Sequence, residues 1–182
     1  MRLFIAIPFP AHIKDALAAQ GVALQQVCGQ GNYTRRDNFH LTLQFLGEYP
    51  DTACVPLTTV LERTAQKHQA FSLTLAGLGA FPKGNEAIVW TGITQGKGAC
   101  ITLFRILEKE LVQAGFPPAN RPLSPHITLG RRIHLPESIT ELSKQLPDFY
   151  AEMEVTSIAL FVSERNSTGQ LVYRILAEVP FA

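Results

Sequence analysis

Two histidines in this chain occupy the same short frame. His40 lies in "NFHLTLQFLG" and His126 in "SPHITLGRR", 86 positions later, and each is followed two residues on by a threonine, Thr42 and Thr128. Imidazole titrates near neutral pH, so of two facing each other one is neutral while the other is protonated. That suits a reaction with a base on one side of the reacting centre and an acid on the other. A threonine hydroxyl donates a hydrogen bond to an anionic oxygen, and Arg131, next after "HITLG", adds a permanent charge with forked donors. Two imidazoles, two hydroxyls and a guanidinium describe a site for in-line displacement at phosphorus.

Other chemistries fit the residues less well. A metal centre needs further His, Cys or carboxylate ligands at suitable spacing, and the first acidic residue after His40 is Glu48, eight positions on. A site without metal or cofactor is therefore expected. The chain has no nucleophile elbow for a serine triad and no GxxxxGK[ST] phosphate loop. His12, His68 and His134 fall in helical or loop context, where a solvated surface is expected.

The motifs need strands to present them. Side chains two apart on a strand share a face, so His40 and Thr42 point one way and Leu41 and Leu43 the other. The same alternation sets His126 and Thr128 against Ile127 and Leu129. Around these strands the chain predicts a buried first strand in "LFIAIPFP", then a helix carrying Ile13, Leu17, Leu24 and Val27 that "GQGN" ends. A second helix follows through Leu57, Val60, Leu61 and Thr64, and then two strands, "FSLTLAGLGAF" and "EAIVWTGI", joined by the turn residues "PKGN". The later half runs through a helix with Phe104, Leu107, Leu111 and Ala114, the His126 strand and a short helix with Ile139, Leu142 and Leu146. It ends in the runs "MEVTSIALFVSER" and "QLVYRILAEV". An offset of 86 carries His40 onto His126, "FSLTL" onto "SIALF" and "AIVWT" onto "YRILA", the mark of a weak internal duplication. The expected fold is α+β: one bilobal domain over residues 1–182, with two antiparallel sheets flanked by helices around a central cleft.

Composition narrows the partners. With 182 residues, 46% of them hydrophobic, the chain can fill a sizeable core. Sixteen Lys and Arg against fifteen Asp and Glu leave a formal charge of +1, too weak a field to hold long nucleic acid by counterion release. A nucleic-acid substrate is then gripped locally, at an end or a single linkage. Cys28, Cys54 and Cys100 lack metal or CxxC spacing and are expected as reduced, packed side chains in the cytosol. No run is long enough to span a bilayer.

"FHLTLQFLGE" and "RPLSPHITLGR", together with "RLFIAI" and "GAFPKGNEAIVWTGI", resemble the two-histidine phosphoesterase superfamily. The likeness is to its bacterial and archaeal RNA 2′,3′-cyclic phosphodiesterases, also known as 2′-5′ RNA ligases, and it covers nearly the whole chain. It implies a cytoplasmic, metal-independent enzyme that opens a 2′,3′-cyclic phosphate on an RNA 3′ end or a nucleotide to leave a 2′-phosphate, acting as a monomer. The residues themselves do not distinguish acid from base. By the resemblance His40 is the proton donor to the leaving 3′ oxygen, His126 the base that activates water, and Thr42 and Thr128 the phosphate-binding hydroxyls. Arg131 matches the basic residue after the second motif, with Arg132 beside it as the alternative. On a regular strand Arg132 shares the His126 face, unless the strand ends or bulges at Gly130. The same residues, with a 5′-hydroxyl in place of water, would make a 2′-5′ linkage, and without turnover they would make a binding module for RNA ends or cyclic nucleotides. Arg35, Arg36, Arg121, Tyr33, Phe81 and Trp90 are candidates for holding the nucleotide by charge or stacking.

Overall fold

"LFIAI" is apolar at every position rather than at alternate ones, as befits a strand covered on both faces. In the computed structural model, which describes residues 1–182, this run forms β1 (Arg2–Pro8). Leu3, Ile5 and Ile7 face the main core, while Phe4 and Ala6 face a second, smaller cluster with Ala159 and Phe161. That second cluster is the floor under His40.

The remaining elements are α1 (Ala11–Cys28), β2 (Asn32–Tyr33), β3 (His40–Glu48), α2 (Cys54–Ala65), β4 (Phe71–Lys83), β5 (Glu86–Gln95), α3 (Lys97–Gln113), β6 (Ile127–Ile133), α4 (Ile139–Gln145), β7 (Tyr150–Val155), β8 (Ser157–Arg165) and β9 (Leu171–Pro180). Helix α1 buries Ile13, Leu17 and Leu24 at helical spacing, and the chain leaves it through Gly29 at φ 72°, a conformation that costs glycine little. A first sheet has the order β3-β1-β8-β9 and a second the order β2-β6-β5-β4-β7, with every pairing antiparallel. The fold is α+β, with one histidine motif in each sheet.

The lobes do not follow the halves of the chain. β8 and β9, from the second half, close the sheet that β1 and β3 begin. Helix α1 leaves the first sheet yet packs on β6 and β7 of the second, while α2 lies against β8 and β9. A buried hydrogen bond of 2.5 Å from Thr91 Oγ1 to Gln20 Oε1 ties α1 to β5. The helices and the inner faces of both sheets share one hydrophobic cluster of 32 buried residues, so neither lobe has a core of its own.

Two sequence expectations meet corrections here. "MEVTSIALFVSER" reads as one apolar run, but it is two strands broken at Thr156: Val155 pairs with Phe71 on β4, and Ser157 pairs with Pro180 on β9. The run crosses from one sheet to the other, which no local pattern marks. The hairpins β4–β5 and β8–β9, matched at the 86-residue offset, also sit differently, since β5 adjoins the His126 strand whereas β9 is the edge farthest from β3.

Candidate active site

His40 opens β3, and the residues before it fix its ring. Its Nδ1 lies 2.7 Å from the carbonyl oxygen of Asn38. His126 immediately precedes β6, and its Nδ1 lies 2.7 Å from the carbonyl oxygen of Ser124. A carbonyl only accepts, so each Nδ1 carries a proton and each neutral ring keeps its lone pair at Nε2. "Asn-Phe-His" and "Ser-Pro-His" thus build the same anchor from different residues.

The two rings have different surroundings. His40 packs against Phe4 at 4.9 Å between centroids, Tyr173 at 5.2 Å and Phe161 at 5.7 Å. Its Nε2 lies 2.8 Å from Thr42 Oγ1, which donates to it when the ring is neutral. Burial is the main reason that its pKa is pushed down to about 4, with smaller contributions from Arg131, Lys14 and His126. His126 meets Phe81 edge-on at 5.0 Å and Trp90 at 6.1 Å. Its pKa is also lowered, chiefly by burial and then by the charges of Arg131 and Arg121. The indole of Trp90 lies flat over Gly79, where any Cβ would come within 2.2 Å of the ring, so this glycine is required for Trp90 to reach His126.

Arg131 is the cation common to both histidines, and its charge also reaches Tyr173. Its direction comes from a bulge. Between the pairs Trp90 to Thr128 and Val89 to Gly130, β6 advances two residues while β5 advances one. Leu129 and Gly130 are both buried, and a Cβ on Gly130 would come within 2.7 Å of Ile133. The bulge resets the alternation, so Arg131 rather than Arg132 follows Thr128 toward the cleft. Arg132 takes a left-handed φ of 56° and pairs with Glu86 at 3.4 Å. Of the two arginines that the sequence leaves open, Arg131 is the one placed with the histidines.

Of the residues nominated to hold a nucleotide, Phe81, Trp90 and Arg121 lie at the His126 side. Arg36 is committed elsewhere, to Asp15 at 2.5 Å and Asp37 at 2.9 Å, and Arg35 binds Gln170. Tyr33 pairs with Gly130 along β2 and sends its hydroxyl to the carbonyl of Gly29 at 3.0 Å. His68 is half-buried against Phe71 and Phe181, and it lies away from both motifs. Sequence reading missed Asn38, whose carbonyl anchors His40. The side chain of Asn38 also accepts from Tyr173 N at 3.1 Å and donates to the carbonyl of Leu171 at 2.9 Å. It missed Phe4, Phe161 and Tyr173 as well, although the apolar side of β1 opposite the main core was a signal for Phe4.

The segment before β3 also steadies the other motif. Thr34 N donates to the Leu129 carbonyl at 2.8 Å, and Thr34 Oγ1 donates to the Thr128 carbonyl at 2.8 Å. Residues 32–40 therefore touch both histidine strands. No three His, Cys, Asp or Glu side chains gather as metal ligands, and no helix is long and apolar enough to cross a membrane.

The chain is similar to known proteins over nearly its whole length. The sequence profile of the 2′-5′ RNA ligase superfamily matches residues 13–167. The chain is 32% identical to the RNA 2′,3′-cyclic phosphodiesterase of Aeropyrum pernix over 178 residues, covering 94% of each chain. It is 32% identical to that of Escherichia coli over 162 residues, covering 89% of this chain and 86% of the relative. The crystal structure of Escherichia coli LigT complexed with 3′-AMP superposes with a TM-score of 0.79 at 28% identity, covering 99% of this chain and 97% of the other. By its sequence profile and its near full-length relatives, the chain belongs to the 2′-5′ RNA ligase superfamily.

Proposed function

We propose that the chain is an RNA 2′,3′-cyclic phosphodiesterase that opens a terminal cyclic phosphate by acid–base catalysis at His40 and His126, without a metal. The observation that carries this reading is the matched pair of histidines, each anchored at Nδ1 and each within the field of Arg131. The near full-length relatives carrying that activity in their names support it.

In this mechanism the cyclic phosphate lies between the two Nε2 atoms. Thr42, Thr128 and Arg131 donate to its non-bridging oxygens, where charge grows in the transition state. His126 takes a proton from the attacking water as the new P–O bond forms. His40 gives its Nε2 proton to the departing 3′ oxygen, the P–O3′ bond breaks, and the phosphate remains on the 2′ oxygen. With its pKa near 4, His40 is neutral in the free enzyme at pH 7 and acquires the proton beside the phosphate anion, which favours the imidazolium. The same ring opening, with a 5′-hydroxyl in place of water as the nucleophile, makes a 2′-5′ linkage, the activity in the superfamily's name. In water the net direction is hydrolysis. All three cysteines are unbridged, which supports the cytoplasm as the compartment, and we propose a monomer as the active form.

The test is incubation with adenosine 2′,3′-cyclic phosphate in EDTA, followed by chromatography of the product isomers. The expected product is the 2′-phosphate. A 3′-phosphate would exchange the roles of the two histidines, loss of turnover in EDTA with rescue by a particular ion would overturn the metal-free mechanism, and no turnover would leave a binding module.

A further inference from the structure

Arg131 is also a wall of a second space. A cavity of about 330 Å³ is lined by Lys83, Glu86, Ala87, Ile88, Arg131 and Arg132. Three of these side chains are cationic and one is anionic, so the cavity favours an anion. Ile88 and Trp90 are two apart on β5 and share a face, which makes Ile88 an apolar floor continuing from the wall behind His126. Lys83 faces Glu86 across the β4–β5 hairpin, is exposed, and takes part in no ion pair.

Arg132 supplies an independent pointer. It is the only non-glycine residue with positive φ, at 56°, a conformation that disfavours a side chain, and it falls at a second irregularity of β6, where the strand advances three residues from Gly130 to Ile133 while β5 advances two. Two consecutive arginines line the same cavity. The bond from Arg132 to Glu86, 3.4 Å long with an Arg132 side chain 71% exposed, is the kind of surface pair that an incoming phosphate displaces readily.

We propose that this cavity is a second phosphate subsite, holding the internucleotide phosphodiester next to the terminal cyclic phosphate, with the sugar or base of that neighbour over Ile88. It rests on the cyclic phosphodiesterase reading above. One guanidinium, Arg131, then stands between two anions of the same strand. The terminal cyclic phosphate faces the histidines and the next phosphate faces Lys83 and Arg132. The enzyme accordingly prefers RNA ends of two or more nucleotides to mononucleotides.

The experiment compares kcat/KM for a dinucleotide ending in a 2′,3′-cyclic phosphate with that for the mononucleotide. The dinucleotide is expected to be favoured about tenfold or more, mainly through KM. Its kcat/KM should also fall more steeply with added salt, because one more phosphate is held by cationic side chains. Lys83→Ala should remove most of the preference and leave mononucleotide turnover unchanged, and Arg132→Asn, which tolerates the left-handed backbone, should do the same. Glu86→Gln, which frees Arg132, should raise the preference. Equal kcat/KM for both substrates in the native protein, or an unchanged preference in both cation variants, overturns the inference alone. If neither substrate is turned over, the reading of the site fails and the inference falls with it.

Discussion

The His40 and His126 sides of the cleft carry the same motif in different settings. His40 is walled by Phe4, Phe161 and Tyr173, and its Nε2 is already engaged by Thr42. His126 is bounded by Phe81 and Trp90, and its Nε2 has no partner within the chain. The two imidazoles therefore start from different states, with the Nε2 of His126 free and that of His40 already hydrogen-bonded in a more deeply buried ring. The repeated His-x-Thr supplies the groups, and the strands packed around each copy set what each group does with its proton.

The comparison breaks most sharply by removing either imidazole. His40→Ala and His126→Ala should each lower kcat by roughly 10²–10⁴. Near-native turnover in either variant would end the paired mechanism. The double variant should lose less than the product of the two single effects, because groups that act as a unit are non-additive.

The threonines sharpen it. Thr42→Val and Thr128→Val should each cost on the order of 3 kcal/mol in the transition state, seen in kcat more than in KM. Only Thr42→Val also removes a hydroxyl bonded to a histidine Nε2. The pKa of His40 should therefore move in Thr42→Val, while the Thr128→Val change leaves His126 where it was. NMR titration of the imidazole Cε1–H signals separates the two, and identical behaviour of both variants would erase the asymmetry.

The last expected effect is on stability, outside turnover altogether. The pKa of His40 is about 4 in the folded chain against an ordinary 6.5, so between these values the unfolded chain binds a proton that the folded one refuses. Stability should fall as pH drops from about 6.5 to 4, by about 3 kcal/mol at most. Urea denaturation of the native chain and of His40→Gln across this range isolates the contribution. Inorganic phosphate in the cleft favours the imidazolium and should raise the His40 midpoint. A midpoint above 6 without phosphate would mean that the aromatic enclosure does not set it.

Much of this was legible locally. Strand alternation places His40 with Thr42 and His126 with Thr128, and the helices follow their apolar spacing. Helix α1 ends at Gly29 as "GQGN" suggests. The less legible features are consequences of pairing between distant segments. Plain alternation selects Arg132 for the cleft, and only the register of β6 against β5 reveals the bulge that substitutes Arg131. The break at Thr156 is invisible in an apolar run, because both flanking strands are buried and only their partners differ. Asn38 reads as a loop residue, yet it joins the His40 anchor to the start of β9.

The crossing of β8 and β9 into the first sheet also bears on how the protein is made. Phe161 and Tyr173, which enclose His40, are synthesised long after it, and until they arrive Phe4 has no aromatic partner on the β8 side. A chain emerging from the ribosome can complete neither the sheet around His40 nor the shared core before these late strands dock. Such long-range pairing is slow to form. The proposed catalytic pair therefore gains its full enclosure only once these late strands have docked, and a chain terminated before β8 would carry both motifs without Phe161 and Tyr173 around His40.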